Sequence, residues 1–376
     1  MKKKIKVLQI IHSLHIGGAE KVVVDIASMA DSTEFNVVVC CIKEGGVLAE
    51  KLEDMGVSVI VAPKIGSVRY TRIIRGLYQV IREQQPDIIH THGDISLIDT
   101  GPVYLYGLFR PFPKWIHTFH FGNYPHIKKR YLYAQMLFSR FVDRLVAVSH
   151  YQSGLLQQYM KIPGPRIQVI ENGVNPNPCR DDRELVIRKK QELGIPEGKI
   201  VVGSIAVLTV QKGIVYFLEA VKEVIDTHKN VHFIVVGGGP LQKELEAKAR
   251  ALGIQSAISF AGWRSDVMEL FPMIDIFVMP SLWEAFSVVL IEAMAAGKMI
   301  IATDVADNAR VIEHNVNGII VEPKSAHQLS KAIGSLLEHP QMYREFGDKA
   351  FKKFEQNYTV NKMIGKYEVL FAETVV

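Results

Sequence analysis

The clearest structural pattern in this chain of 376 residues is the segment Val278-Met-Pro-Ser-Leu-Trp-Glu-Ala-Phe-Ser-Val-Val-Leu-Ile-Glu-Ala-Met-Ala-Ala-Gly-Lys-Met-Ile-Ile-Ala-Thr303. An apolar run at 276–279 ends at a proline and a short loop. A helix is predicted over about 287–296, and a second apolar run follows at 299–302. A strand, a loop, a helix and a strand in this order indicate a parallel α/β unit.

The ends of the predicted helix carry residues that are typical of helix boundaries. Ser287 is expected to act as the N-cap, and Phe286 and Ile291 are spaced as a hydrophobic staple. Gly297 suits the left-handed position that follows a helix.

Two carboxylates in this segment indicate a functional site. Glu292 is the only charged residue of an otherwise apolar helix, where a buried carboxylate is costly unless it is paired or used. Glu284 precedes it by eight residues, in a loop at the carboxyl end of a strand, where ligands of open α/β sheets bind. The alternative is a partly exposed Glu292 and a solvated Glu284. Because perturbed carboxylates cluster at functional sites, we favour a site.

The segment resembles the donor-binding signature of retaining glycosyltransferases of family four (glycosyl transferases group 1), which have the two-domain GT-B architecture. Ala285 and Ser287 replace two glycines that are usual in that signature. The matching residues are Glu284, Phe286, Glu292, Ala293, Met294, Ala295 and Gly297.

The resemblance implies roles for these residues toward a nucleoside-diphosphate sugar. Glu292 would hold the ribose hydroxyls, and Glu284 would contact the donor sugar. The backbone at 287–289, which includes Ser287 and Val288, would face the diphosphate, with Phe286 beside it. Ionised carboxylates accept strongly from hydroxyl groups and helix N-termini favour anions, so the physical chemistry agrees with these roles.

The first half of the chain has a glycine pair at a strand-to-helix turn. A strand is predicted over 5–11, and Gly17-Gly18-Ala19-Glu20 opens a helix that runs to about residue 30. The third glycine of the dinucleotide fingerprint is absent. The resemblance implies that Gly17 and Gly18 close over the donor phosphates.

Histidines lie at the ends of two predicted strands. His90 and His92 are two residues apart, so a strand places both on one face. A metal site would need a third ligand, and none is obvious in the sequence. The Thr118-Phe119-His120 step resembles the Thr-x-His of the family, which implies that His120 lies beside the transferred sugar. A regular strand would turn His117 to the opposite side.

The second half contains a lysine and a glycine run at corresponding turns. Lys212 follows the predicted strand 200–207 and can hold a diphosphate as a point charge. The family has an arginine five residues earlier, where this chain has Val207. In the run 237–239, Gly238 is expected to leave room over the nucleotide base. After Thr303 the family has Gly-Gly and Pro-Glu, whereas residues 306–310 here read Ala-Asp-Asn-Ala-Arg.

Length and pattern predict two Rossmann-like α/β domains facing across a cleft, the GT-B architecture. Residues 1–176 would form an acceptor-side N-terminal domain, and residues 177–358 the nucleotide-sugar donor domain. The C-terminal helix at 359–376 is expected to pack back on the N-terminal domain. The proline-containing polar stretch at 175–183 is interpreted as the linker.

Charge and composition limit the partners. Residues 1–171 hold 21 Lys and Arg against 14 Asp and Glu, and the stretch 102–144 is rich in aromatic and basic residues. A basic, aromatic surface suits an anionic membrane surface or an anionic acceptor, although an ordinary solvated surface explains it equally well. No pattern of an RNA-binding module is present, so we expect no nucleic-acid partner.

The three cysteines form neither metal-ligand spacing nor a disulfide framework, which favours a reducing cytoplasm. The basic first half agrees with peripheral attachment at the inner face of the cell membrane. We expect no cofactor and no metal, because no Asp-x-Asp cluster is present and Lys212 with the helix N-terminus can balance the diphosphate.

The resemblance implies a retaining, metal-independent glycosyltransferase in bacterial surface polysaccharide or glycoconjugate synthesis. It would move a hexosyl or N-acetylhexosaminyl group from a nucleotide sugar, with a UDP-sugar favoured, to a glycan or lipid-linked acceptor. Two alternatives stay open because of Val207 and the 306–310 loop: a non-catalytic binding or partner-supporting protein, and a nucleotide-sugar epimerase. The sugar, acceptor, linkage and oligomeric state do not follow from the sequence.

Overall fold

The computed structural model describes residues 3–15, 17–65, 69–105, 113–122, 124 and 126–376. Tyr106, Phe109 and Phe112 of the aromatic and basic stretch lie outside these residues. The chain divides into two compact units, one formed by Met1–Asn172 with Val360–Val376 and the other by Gly173–Thr359.

Within its described part, the N-terminal unit is a seven-stranded parallel sheet in the order β3-β2-β1-β4-β5-β6-β7. The strands are β1 (Ile5–Ser13), β2 (Phe35–Glu44), β3 (Val59–Val61), β4 (Ile88–His92), β5 (Lys114–Phe119), β6 (Arg144–Ala147) and β7 (Ile167–Val169). The helices that follow them are α1 (Gly18–Met29), α2 (Val47–Asp54), α3 (Arg69–Gln84), α4 (Gly93–Leu105), α5 (Lys129–Phe138) and α6 (His150–Met160).

The sheet of the N-terminal unit is buried on both faces. Along β1, Leu8 and Ile10 pack into one hydrophobic cluster and Val7 into another on the opposite face. This explains why β1 is an almost continuous apolar run instead of an alternating one.

The C-terminal unit is a six-stranded parallel sheet in the order β10-β9-β8-β11-β12-β13. Its strands are β8 (Ile200–Ile205), β9 (Val231–Val236), β10 (Ile258–Gly262), β11 (Ile276–Met279), β12 (Met299–Thr303) and β13 (Ile319–Val321). Its helices are α7 (Arg183–Glu192), α8 (Ile214–Thr227), α9 (Gln242–Ala251), α10 (Val267–Leu270), α11 (Val288–Ala295), α12 (Asn308–Val311), α13 (Ala326–Glu338) and α14 (Gln341–Asn357).

The last helix, α15 (Val360–Val375), belongs to the N-terminal unit. Tyr367 is fully buried there, and its hydroxyl lies 3.3 Å from Thr118 Oγ1 on β5. The ring of Phe371 packs edge-on against Phe35 with ring centroids 5.9 Å apart.

Each sheet reverses its strand order once, between β1 and β4 in the first unit and between β8 and β11 in the second. Ligands of open α/β sheets bind at the carboxyl ends of strands beside such a reversal. The α/β class predicted from the sequence is confirmed. A ligand site is therefore expected at the loops after β1, β4, β8 and β11. Among the residues described, no helix is long and apolar enough to cross a membrane.

Candidate functional site

The loop between β11 and α11 holds Glu284 in a closed network of hydrogen bonds. The residue is 5% exposed. Its Oε1 accepts from Lys212 Nζ at 2.5 Å and from Ser281 Oγ at 2.8 Å, and its Oε2 accepts from Gln211 Nε2 at 3.2 Å. The solvated loop position that the sequence left open is therefore wrong. Three donors offset the desolvation of the carboxylate, which explains how it can be buried.

A close backbone approach brings Lys212 to Glu284. Lys212 ends a short 3₁₀ turn, Val210–Lys212, and Gly213 follows with a φ of +60°. A Cβ at Gly213 would lie 2.0 Å from the carbonyl oxygen of Pro280, so only glycine allows the two loops to meet. The amide of Leu282 also donates to the carbonyl of Gln211 at 2.7 Å. The loops after β8 and β11 thus form one structure.

The N-terminus of α11 is not capped by the side chain of Ser287. Ser287 stands at the N-cap position, but its hydroxyl contacts Met279 Sδ at 2.9 Å and makes no cap hydrogen bond to the first turn. The predicted capping role of Ser287 is therefore wrong, because the buried hydroxyl finds its partner on β11. The ring of Phe286 lies 6.1 Å from that of Tyr358. At the other end, Gly297 has a φ of +63°, which confirms the predicted left-handed position.

Glu292 is half-buried, on the less enclosed side of α11. Val288 and Val289, which precede it by four and three residues, are also half-buried, whereas the neighbouring Ile291 and Ala293 are buried. Residues at these spacings share one helix face. The face that carries Glu292 therefore begins at the backbone N–H groups of the helix N-terminus.

The glycine run after β9 is shaped by the neighbouring backbone. A Cβ at Gly237 would lie 1.9 Å from the carbonyl oxygen of Ala206, and a Cβ at Gly239 would lie 2.6 Å from that of Leu208. A Cβ at Gly238 would meet nothing closer than Trp263 Cβ at 3.5 Å, which is an ordinary contact. The fold therefore requires glycine at 237 and 239, while the predicted role of Gly238 toward a base stays a prediction.

Val207 lies beside this run with 62% of its surface exposed. The carbonyl of Gly238 accepts from the amide of Leu208 at 2.9 Å, so the backbone here is well ordered by hydrogen bonds. The side chain at 207 is free of core packing, which is why the fold accepts a valine there.

The loop after β12 is tied to the same end of the sheet. Thr303 Oγ1 donates to the carbonyl of Ser281 at 2.6 Å, and Asn308 Nδ2 donates to the carbonyl of Thr303 at 2.9 Å. Ala306 has a φ of +50°, a conformation that favours glycine. The supporting residues Gln211, Ser281 and Asn308 are not predictable from the sequence, because single polar residues in loops carry no periodic signal.

In the N-terminal unit, Gly17 and Gly18 begin α1 beside a carboxylate. Gly17 is the N-cap residue in extended conformation. A Cβ there would lie 2.3 Å from Glu20 Oε2, so the side chain of Glu20 folds over Gly17. Burial raises the pKa of Glu20. The predicted contact of Gly17 and Gly18 with phosphates stays a prediction.

The histidines of β4 and β5 meet across the sheet. His92 Nδ1 lies 3.2 Å from His120 Nε2, and the two rings stack with centroids 5.5 Å apart. His90 Nε2 lies 2.8 Å from Thr118 Oγ1 on the same face. His117 lies on the other face, as predicted, with its Nδ1 2.9 Å from Thr91 Oγ1.

Burial keeps these histidines neutral at physiological pH. Desolvation lowers the pKa of His120 to about 4 and that of His117 to about 3, and it lowers the pKa values of His90 and His92 well below the usual range. They can therefore exchange hydrogen bonds but do not carry charge. Within the described ranges, no group of three His, Cys, Asp or Glu side chains is placed to share a metal ion.

Two family descriptions match the sequence. "Glycosyl transferases group 1" matches residues 186–353, and "Glycosyltransferase Family 4" matches residues 16–178. The first match contains Lys212, Glu284 and Glu292, and the second contains Gly17 and His120.

Individual proteins are similar over the whole length. The chain is 22% identical to the UDP-Gal:alpha-D-GlcNAc-diphosphoundecaprenol alpha-1,3-galactosyltransferase of Escherichia coli, over 99% of this chain and 98% of that protein. Anabaena HepE in complex with UDP and glucose has a TM-score of 0.88 at 22% identity, covering 98% of this chain and 100% of that one. A glycosyltransferase from Rickettsia africae has a TM-score of 0.84 at 22% identity, covering 99% of each chain. These likenesses show the fold, which is GT-B.

Proposed function

The chain belongs to the family four glycosyltransferases (glycosyl transferases group 1), and we propose that it is a retaining enzyme that transfers a hexosyl group from a UDP-sugar to a lipid-linked acceptor. The observation that carries this proposal is the largely buried Lys212–Glu284 pair at the carboxyl end of the C-terminal sheet, next to the N-terminus of α11, which Ser287 does not cap. A cation, oriented N–H groups and a carboxylate together suit a diphosphate attached to a sugar.

The similar proteins support the choice of donor and acceptor. HepE binds UDP and glucose in its crystals. The E. coli relative uses UDP-galactose and an acceptor in which N-acetylglucosamine is linked to diphosphoundecaprenol. A lipid-linked saccharide in bacterial surface polysaccharide or glycoconjugate synthesis is therefore the acceptor class that we propose here.

The donor would be held through the C-terminal unit. A lysine ammonium has three N–H donors, and Lys212 gives one of them to Glu284, which leaves others for the diphosphate. The N–H groups at 287–289 add oriented partial charge, and Glu292 would bind the ribose hydroxyls. A carboxylate has about four acceptor positions, of which Glu284 uses three, so one remains for a sugar hydroxyl. Gly238 would lie under the base.

The N-terminal unit would contribute His120 beside the reacting sugar, with Gly17 and Gly18 near the phosphates. In a retaining reaction without a protein nucleophile, the leaving diphosphate accepts the proton of the acceptor hydroxyl on the face from which it departs. The charge that develops on the diphosphate would then be balanced by Lys212 and the α11 N-terminus, in place of a metal ion.

Val207 supports a second candidate. The usual arginine would add a guanidinium to the developing charge, and its absence agrees with a protein that binds a nucleotide sugar without turning it over. An epimerase of the same fold is a third candidate, and it would release nucleotide without transfer to an acceptor.

A thermal-shift panel with UDP, GDP, ADP and CDP tests the donor site. Ligand at about 100 times its dissociation constant adds about 2.7 kcal/mol to the free energy of unfolding. We expect UDP alone to raise the melting temperature of the wild type, and Glu292→Ala to lose that rise. Glu244→Ala, which removes an exposed carboxylate from α9 of the same unit, is the matched control and should keep it.

A turnover assay separates the three candidates. UDP-galactose, UDP-glucose and UDP-N-acetylglucosamine are each incubated with a polyprenyl-diphosphate-linked N-acetylglucosamine, and both UDP and the disaccharide lipid are measured. A transferase forms the two products in equal amounts. Stabilisation by UDP with no product identifies a binding protein, and interconverted or released nucleotide products without disaccharide identify an epimerase.

A peripheral contact with an anionic lipid surface fits the outer side of α5. Among the described residues of this region, Lys128, Lys129 and Arg140 are exposed and form no ion pair. The sequence has no acidic residue between Asp99 and Asp143. Tyr133 is 64% exposed, with Leu137 (47%) one turn later and Phe141 (43%) beyond the helix end. Aromatic and cationic side chains together suit the interface between lipid headgroups and chains.

Vesicle sedimentation tests this contact. We expect the protein to sediment with vesicles that contain phosphatidylglycerol and not with pure phosphatidylcholine, and added salt should weaken binding. Leu137→Ser with Phe141→Ser should reduce binding, whereas Ile187→Ser, at a residue 59% exposed on α7, should not. Equal binding to both kinds of vesicle would argue against an electrostatic contact.

A further inference from the structure

His92 and His120 form a pair that neither the family signature nor the strand pattern identifies. β4 ends at His92, and His92 lies in register with Thr118 of β5, so His120 extends just beyond the neighbouring strand end. The contact joins His92 Nδ1 to His120 Nε2 at 3.2 Å. Both rings are neutral imidazoles, each with one N–H, so one of the two nitrogens in contact donates and the other accepts.

The surroundings of His92 determine where the proton lies. His92 is 2% exposed, and its other nitrogen, Nε2, is buried without a hydrogen-bond partner in the described part of the chain. A proton on Nε2 would leave a buried donor unsatisfied and would also leave Nδ1 without a proton to give. An orphaned buried N–H is rarer than an under-satisfied acceptor. The proton of His92 is therefore on Nδ1, which donates to His120 Nε2.

This arrangement fixes the proton of His120 as well. Because Nε2 of His120 accepts, its single proton lies on Nδ1. His120 is partly exposed, so its Nδ1–H is the side of the ring that a ligand can meet. A ring in this state donates a hydrogen bond through Nδ1 and cannot act there as a base.

His90 and Thr118 hold His92 in its orientation. The rings of His90 and His92 are 4.0 Å apart, and His90 Nε2 is 2.8 Å from Thr118 Oγ1. Thr118 Oγ1 in turn lies 3.3 Å from the hydroxyl of Tyr367 on α15. The ring of His92 is therefore packed against a hydrogen-bonded group and has little freedom to rotate.

We propose that His92 is a positioning residue that holds His120 in the tautomer with its proton on Nδ1, so that His120 donates a hydrogen bond to a hydroxyl oxygen of the transferred sugar. The consequence for turnover rests on the proposed function, because it takes His120 to lie beside the sugar. The tautomer itself depends only on the contact between the two rings and is measured separately.

Nuclear magnetic resonance on ¹⁵N-histidine-labelled full-length protein tests the tautomer at pH 7.5. Two-bond ¹H–¹⁵N correlations distinguish Nδ1–H from Nε2–H imidazoles, and a His120→Asn variant assigns the His120 signals. We expect the Nδ1–H pattern in the wild type. In His92→Leu the hydrogen bond is lost, and His120 should shift toward the Nε2–H form. An Nε2–H pattern for His120 in the wild type would overturn the proposal.

A conservative variant separates positioning from simple loss of packing. The amide nitrogen of Asn stands the same number of bonds from Cα as Nδ1 of His, so His92→Asn can still donate to His120. We expect His92→Leu to lower kcat about tenfold to hundredfold with a small change in the donor KM. His92→Asn should recover most of this loss in kcat. His120 should keep the Nδ1–H form in His92→Asn and shift toward the Nε2–H form in His92→Leu.

His117→Leu is the matched control, since it removes a buried imidazole from the opposite face of β5. It should keep both the His120 tautomer and the wild-type kcat at pH 7.5. If His92→Asn and His92→Leu lose activity equally while His120 keeps its tautomer, the positioning role is refuted. If the wild type shows the expected tautomer of His120 but has no transfer activity, the proposed function is refuted. The proposed proton positions on His92 and His120 would then still hold. The wild-type spectrum remains decisive even if His92→Leu fails to fold.

Discussion

Lys212 and Glu284, which we propose as donor-site residues, also hold two loops of the fold together. Their side chains are 19% and 6% exposed, so the pair is largely desolvated. Removing one partner of a buried pair leaves the other charge uncompensated, which is costlier than removing both. Ser281 and Gln211 would still donate to Glu284, which moderates the effect.

We predict that Lys212→Met lowers the free energy of unfolding by about 2 kcal/mol and that the double variant with Glu284→Gln recovers about 1 kcal/mol of this. Urea denaturation of the single and double variants measures the coupling. The exposed pair Lys222–Asp226 on α8 serves as control, and Lys222→Met should change stability by less than about 0.5 kcal/mol. Additive effects at 212 and 284 would contradict the coupling.

The same variants distinguish an effect on UDP binding from an effect on stability. The double variant should stay folded, about 1 kcal/mol less stable than the wild type, yet lack the ammonium that we propose for the diphosphate. We therefore expect UDP to stabilise the wild type and not the double variant. Retained stabilisation by UDP would remove Lys212 from the proposed donor site.

Ala306 is a residue in a conformation that suits glycine. Its φ of +50° costs an alanine about 1–2 kcal/mol, and the flexibility of glycine in the unfolded chain offsets part of this. We predict that Ala306→Gly raises the free energy of unfolding by about 0.5 kcal/mol. Thermal denaturation measures the change, with Ala309→Gly inside α12 expected to lower stability by comparison.

In the glycine loop after β9, three adjacent glycines have different structural surroundings. Gly237 and Gly239 allow two backbone segments to touch, while Gly238 has ordinary space around it. The three identical residues in a row therefore differ in why they are glycine.

We predict that Gly237→Ala unfolds or strongly destabilises the C-terminal unit, because its Cβ would lie 1.9 Å from the carbonyl oxygen of Ala206 and its φ of +127° disfavours other residues. Gly238→Ala should change the melting temperature little but weaken UDP binding if the base lies over it. Circular dichroism melts with and without UDP measure both effects. Unchanged UDP affinity in a folded Gly238→Ala variant would place the base elsewhere.

For the molecule as a whole, the histidines at the ends of β4 and β5 tie stability to pH. Each has a folded-state pKa below the usual 6.5, so the unfolded chain takes up protons first as the solution is acidified. Their contribution is fully present above pH 6.5 and is lost as the pH falls toward their folded-state pKa values. Asp94 and Asp99 act in the opposite direction below pH 6, because burial raises the pKa of each to about 6.

We predict that the free energy of unfolding falls between pH 6.5 and 4 and that His117→Leu shows a flatter dependence. His117 has a pKa of about 3, so its share of the loss by pH 4 is on the order of 3 kcal/mol. Urea denaturation at half-unit pH steps measures the difference between the two proteins. Parallel pH profiles would show that His117 has the same pKa in the folded and unfolded states.

The sequence was sufficient to predict the fold class and the parallel α/β arrangement of both halves. Alternating apolar runs and helical segments, with glycine or proline at their ends, are short-range signals that lie within a window of about ten to twenty residues. Glu284 and Glu292 stood out by similarly local signals, a loop carboxylate at a strand end and a charge within an apolar helix, and their roles toward a donor stay predictions. The left-handed Gly297 followed from helix-end chemistry alone.

The tertiary structure was needed for contacts that join distant segments. Lys212 meets Glu284 across 72 positions and His92 meets His120 across 28, and both depend on which strands are neighbours and in what register. The cap predicted at Ser287 failed because a buried partner, Met279, outcompeted the local one. A local pattern fixes an element, but burial, pairing and proton position depend on what the fold places beside it.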